Sequence, residues 1–150
     1  MKPIPILIPA LLFLLAGCTE QKIDYTESKQ NIQRFLAASD HMESELPSIN
    51  SPEGTVKLID EWTAANNDFA TSQEAFAKKY PATTKLITPP PELQEEHRKL
   101  ANLKTDHAKL MTGLGTLARR YQMNPDVMEA MKRFKASLDR LQELGKPHQQ

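Results

Sequence analysis

Trp62, Phe69 and Phe76 fall seven residues apart. At 3.6 residues per turn this spacing stacks the three rings along one edge of a single helix, a heptad-like seam. Ile59 and Tyr80 extend the stripe at either end. The start of this helix is written in the same segment: Ser51 suits an N-cap, Pro52 the first helical position, and Glu53 the positive end of the dipole. Pro81 stops it, so the pattern predicts a helix over residues 52–80.

Three further segments carry the same periodicity. Residues 28–46 place Ile32, Phe35, Leu36, Met42 and Leu46 on one face, and Pro47 ends the run. Pro91 and Glu92 open a long helix to about residue 122. Leu93, Leu100, His107, Leu114 and Tyr121 recur there every seven residues, and Leu103, Leu110, Met111, Leu117 and Ala118 widen the stripe. Gly113 and Gly115 weaken that helix, each by ~1 kcal/mol against alanine, and give it places to bend. The last helix begins with Asn124 as cap, Pro125 at the first position and Asp126 beside it. Val127, Met131, Phe134, Leu138 and Leu141 form its stripe, and Gly145 followed by Pro147 closes it. Between the second and third helices, residues 82–91 are rich in threonine and proline and read as an extended connector.

Each helix has one apolar stripe to bury, and no segment alternates as a strand does. The expected fold is all-α: an antiparallel bundle of about four helices, two long and central, two shorter. The middle pair would run ~42–48 Å and the outer pair ~30 Å, so a hairpin of the long pair flanked by the short ones is expected. Trp62, Phe69, Phe76, Leu100, Leu110, Phe134 and Leu138 are the expected core.

Ahead of the bundle the chain reads MKPIPILIPALLFLLAGC. Lys2 supplies a positive start, and residues 4–15 are apolar but broken by Pro5 and Pro9. That stretch is too short for a stable spanning helix, which needs about 20 apolar residues, and has the form of an export signal. Leu15-Ala16-Gly17-Cys18 resembles the lipobox of bacterial lipoproteins. The resemblance covers residues 1–18. It implies cleavage before Cys18, a diacylglyceryl group on its thiol, and often an acyl chain (palmitate) on the new amino group. Several chains anchor firmly where one holds only marginally. Thr19 stands where an aspartate would favour inner-membrane retention, so the expected location is the outer membrane facing the periplasm, or the outer face of the membrane in a host with one. The resulting organisation is a signal peptide over 1–17, a lipid-anchored tether over 18–27, a helical domain over 28–145 and a tail over 146–150.

Cys18 is the only cysteine, so neither an internal disulfide nor a multi-thiolate zinc site is available. The chain has 19 basic and 19 acidic residues, a balance that speaks against general nucleic-acid binding. The balance conceals a split. Residues 20–74 hold 11 acidic and 4 basic residues, and residues 75–150 hold 8 acidic and 14 basic. Either the two halves pack and their fields cancel, or Arg119, Arg120, Lys132, Arg133 and Lys135 form one basic face for anionic lipid or an acidic partner.

The candidate residues for chemistry do not converge. His97 and His107 are ten apart, about 80° around the helix and nearly three turns along it, whereas a metal-binding pair wants three or four residues of separation. His41 and His148 lie far off in sequence. The methionines Met42, Met111, Met123, Met128 and Met131 read as core filler, and no CxxCH for haem attachment exists. The carboxylate pairs Glu95-Glu96, Asp60-Glu61 and Glu43/Glu45 read as solvated surface. No GxSxG, P-loop, GxGxxG or HExxH is present. The expectation is no enzyme and no cofactor beyond the covalent lipid on Cys18. The chain reads as a lipid-anchored envelope module with a membrane contact and an envelope protein or cell-wall partner, and no nucleic acid. The alternative is a periplasmic ligand- or metal-binding helical module.

Overall fold

In the computed structural model, residues 22–85 and 88–144 are described, with side chains except at 84, 85 and 104–107. Four α-helices account for most of this: α1 (Thr26–Glu45), α2 (Pro52–Lys79), α3 (Gln94–Arg120) and α4 (Pro125–Leu144). No strand occurs among the described residues. The all-α helical bundle expected from the stripes is the architecture found.

The helix boundaries follow local chemistry. Ser51 adopts an extended backbone and its Oγ accepts from Gly54 N at 3.0 Å, satisfying one of the free donors at the start of α2. Asn124 Oδ1 accepts from both Asp126 N and Val127 N, at 3.0 and 3.1 Å, and so fixes the start of α4. Glu95 and Glu96 lie in the first turn of α3, and Arg119 and Arg120 in its last, complementing the helix dipole. α3 runs unbroken through Gly113 and Gly115.

Two local expectations change. α1 begins at Thr26, two residues inside the expected tether, because Asp24 Oδ1 accepts from Thr26 N at 2.9 Å and Lys29 N bonds Tyr25 O. The connector is less extended than its prolines suggest. Pro81–Lys85 forms a 3₁₀ turn held by Thr83, whose N and Oγ both donate to Tyr80 O. Pro91–Leu93 forms another that leads into α3.

Cross-helix pairs fix the directions. Tyr25 meets Phe76 and Phe35 meets Phe69, so α1 and α2 are antiparallel. Asp60 meets Arg133, Asn66 meets Ser137 and Glu74 meets Arg140, so α2 and α4 are parallel. Lys29 and Gln33 meet Glu96, while Leu46 lies against Gly113, so α1 and α3 are parallel. The expected hairpin of the two long helices is therefore not the packing unit. α2 is central and packs chiefly on α4 and α1, while α3 packs chiefly on α1 and touches α2 little.

All four helices contribute to one core cluster: Met42, Leu58, Ile59, Trp62, Leu110, Leu114, Ala130 and Phe134. The Trp62 and Phe134 rings lie 4.9 Å apart. This cluster sits toward the α1–α2 turn. At the other end the packing is aromatic and more open: Phe69, Phe76 and Leu100, expected in the core, are only partly buried, as is Leu138, which packs against the cluster itself. Side-chain burial at His107 lies outside the described residues, as do the proposed stop at Gly145 and Pro147 and the tail.

Candidate functional site

The seam along α2 explains where polar groups enter the interior. Ile59, Asn66, Gln73 and Tyr80 form one row at seven-residue spacing, interleaved with Trp62, Phe69 and Phe76. Asn66 is fully buried in that row. Its Nδ2 donates to Ser137 Oγ on α4 at 3.0 Å, and Ser137 Oγ donates to Phe134 O at 2.7 Å. Asn66 Oδ1 has no hydrogen-bond partner, and neither has Gln73 Nε2 further along the seam.

A second buried polar centre joins α1 to α3. Glu96 is 2% exposed, against the expectation that the Glu95-Glu96 pair is solvated. Its Oε1 accepts from Gln33 Nε2 at 3.0 Å and lies 3.4 Å from Lys29 Nζ, while Oε2 is without a partner. Burial raises the Glu96 pKa, but the Gln33 amide, a helix backbone N–H and the Lys29 ammonium together outweigh it. The carboxyl is held below the usual glutamate range. At neighbouring His97, desolvation lowers the imidazole pKa against the raising pull of Glu96. Glu95, by contrast, stays exposed and pairs with Arg98 and Lys99. The signal for Glu96 was in the sequence: it lies three residues after Leu93 and four before Leu100, on the apolar stripe itself. Reading it as half of an adjacent pair hid that position.

The charge split resolves into contacts. Arg133 on α4 makes a two-pronged contact with Asp60 on α2, at 2.7 and 3.0 Å from Nη2. Arg140 reaches both Glu74 oxygens, at 3.0 and 2.7 Å. The hydrogen bond from Arg140 lowers the Glu74 pKa despite desolvation. Lys132 pairs with Glu129 and Lys135 with Asp139 along α4. The basic half is thus threaded with carboxylates rather than gathered into one uninterrupted face.

The remaining candidate residues separate. Leu15, Ala16, Gly17 and Cys18 lie outside the described residues, as does His148. His41 is exposed on α1. Among the described residues no group of three or more His, Cys, Asp or Glu is placed to hold a metal ion. Met42 is core and Met111 and Met131 pack against it, whereas Met128 is exposed and Met123, in the α3–α4 turn, is 91% exposed.

Two surface concavities lie where the chain enters the domain. One, of about 620 Å³, is bounded by Lys22–Thr26, Lys29 and Glu92. The other, of about 720 Å³, adds Tyr80, Pro81 and the prolines preceding α3. No described helix is long and apolar enough to cross a membrane. Comparison with protein-family models, with curated proteins and with solved structures finds no match to this chain.

Proposed function

We propose that this chain is a lipid-anchored cell-envelope protein whose helical bundle presents a surface to a protein partner or the cell wall. The observation that carries the reading is Leu15-Ala16-Gly17-Cys18 at the end of an interrupted apolar run, immediately ahead of a folded domain. The anchor would be covalent lipid on Cys18, and the location the outer membrane facing the periplasm. The bundle supports a structural or adaptor role: its interior is filled by helix packing and two small polar centres, and its described exposed methionines are Met123 in the α3–α4 turn and Met128 on α4. Chemistry of this kind offers shape and contact rather than turnover.

Intact mass of the membrane-purified protein tests the anchor. The expected species is residues 18–150 carrying diacylglycerol and an amide-linked acyl chain, and Cys18→Ala should accumulate as unlipidated precursor. An unmodified Cys18 in the mature protein overturns the reading. Affinity capture from envelope extract with the lipidated protein as bait then tests the partner. Capture of the same envelope component by wild type, lost on charge reversal at Arg119 and Arg120, supports a presented surface.

A further inference from the structure

The strongest unassigned feature is the end of the bundle at which the chain enters. Only Thr19, Glu20 and Gln21 separate Cys18 from Lys22. Four residue steps span at most ~14 Å. If Cys18 carries lipid, the first described residue is leashed to the bilayer surface, and so is everything beside it.

What lies beside it is a built concavity. The two grooves share Lys22, Ile23, Tyr25 and Glu92, and the larger is walled by Tyr80 and Pro91. Lys79 sits 5.2 Å from the centroid of the Tyr80 ring. Asp24 feels both Lys79 and Lys22, which lower its pKa alongside the stronger hydrogen bonds from Thr26. Because α2 and α4 run parallel, the C-terminal ends of both point to this end. The α3–α4 turn with Met123 points the other way, and α2 alone accounts for ~42 Å of the separation.

The lining carries both signs: Lys22 and Lys29 against Asp24 and Glu92. A purely basic patch would select anionic lipid. Mixed signs beside tyrosine and proline instead match a zwitterionic headgroup, whose phosphate meets lysine and whose ammonium meets carboxylate. Tyrosine favours this depth, where an apolar ring and a polar hydroxyl are both satisfied.

We propose that the tethered end of the bundle, around Lys22, Tyr25, Tyr80 and Glu92, is a docking surface for the zwitterionic headgroup layer of the membrane. It holds the bundle upright with Met123 facing away. The proposal rests on the lipid-anchor reading of Cys18.

The test uses the lipidated full-length protein in phosphatidylethanolamine–phosphatidylcholine vesicles. Glu27→Cys and Met123→Cys, both at exposed positions, are labelled with a fluorophore, and the vesicles carry a quencher on the lipid headgroup. Severalfold stronger quenching at position 27 than at position 123 is expected. The same pair is then measured with a flexible Gly/Ser segment of about twenty residues inserted after Gln21, which allows a root-mean-square reach of ~25 Å. Docking keeps quenching at position 27 at its original level with the longer leash, whereas tethering alone lets it fall as the domain drifts away. A severalfold fall at position 27 on insertion, or equal quenching at the two positions without it, overturns the docking surface while leaving the anchor intact. Absence of lipid on Cys18 by intact mass overturns both.

Discussion

Asn66 on α2 and Ser137 on α4 are both buried, and Asn66 Nδ2 donates to Ser137 Oγ at 3.0 Å. This is the one side-chain hydrogen bond between two fully buried residues of different helices among those described. It sits within a seam otherwise built from apolar side chains. Polar residues at such seam positions fix register at some cost in stability. Asn66→Ala should destabilise the domain by ~1–3 kcal/mol, since it removes the bond and leaves space. Asn66→Leu combined with Ser137→Ala replaces both partners by apolar groups and should recover most of that loss. Denaturant unfolding of wild type, Asn66→Leu, Ser137→Ala and the double variant gives the coupling directly. Additive effects of the two single changes would remove the pair from this role.

The aromatic seam makes a graded prediction. Phe134 is 1% exposed and packs on Trp62, so Phe134→Ala should cost ~3–5 kcal/mol. Phe76 is only half-buried, between Tyr25 and Tyr80, and Phe76→Ala should cost clearly less. Equal midpoints for the two variants in urea would contradict the uneven core.

Much of this fold was legible in the chain. Ser51-Pro52 and Asn124-Pro125 announce two helix starts through chemistry confined to a few neighbouring residues, and the structure places both caps as expected. The stripes carried the fold class for the same reason. What a stripe does not encode is its partner. The seam of α2 reads the same whether it faces α3 or α4, and the choice of α4 rests on Asp60–Arg133, Asn66–Ser137 and Glu74–Arg140 meeting together. Glu96 was hidden differently: its burial depends on Lys29 and Gln33, more than sixty residues earlier. The aromatic end is more exposed than its stripe implies, and the described segments that follow α2, Pro81–Lys85 and Pro91–Leu93, form short 3₁₀ turns rather than another long helix.

Two glycines of α3 should answer differently to alanine. Nothing lies within 4 Å of a β-carbon added at Gly115, so Gly115→Ala should stabilise by ~1 kcal/mol through helix propensity. At Gly113 the added carbon runs into the Leu46 side chain, which must move. Gly113→Ala should therefore be less stable than Gly115→Ala, and the deficit should shrink in a Leu46→Ala background. A Gly113→Ala protein as stable as Gly115→Ala would show that α3 and the Leu46–Ser48 turn are not in close contact.

Glu96 should limit stability in acid. Its folded-state pKa is depressed, so the unfolded chain binds the proton more tightly than the folded domain does. The resulting stabilisation is complete above the unfolded glutamate value and is lost as pH falls through the folded one. Asp24, Glu74 and Glu95 are depressed too and share the acid limb, so the informative quantity is a difference. Urea midpoints of wild type and Glu96→Gln should converge as pH falls from neutrality into the carboxylate range. Parallel curves would show that the Gln33–Glu96–Lys29 contact adds nothing specific to the charged form.

The interhelical ion pairs should govern how the domain meets charged membranes. Arg133 and Arg140 belong to the basic half of the chain, yet Asp60 and Glu74 hold them in two-pronged contacts. Their fields are therefore partly cancelled at the surface, and unlipidated residues 19–150 should co-sediment only weakly with anionic vesicles. Removing the carboxylates without touching the arginines tests this reasoning. Asp60→Asn combined with Glu74→Gln frees both guanidinium groups beside Lys132 and Lys135. That variant should bind anionic vesicles several times more strongly than wild type, with no gain on neutral vesicles. The gain should vanish at high salt, because the Debye length shrinks from ~10 Å at 0.1 M to ~3 Å at 1 M. Strong, salt-sensitive binding by the unaltered domain, abolished in Arg119→Ala/Arg120→Ala, would instead place the dominant field at the α3–α4 turn and reject cancellation.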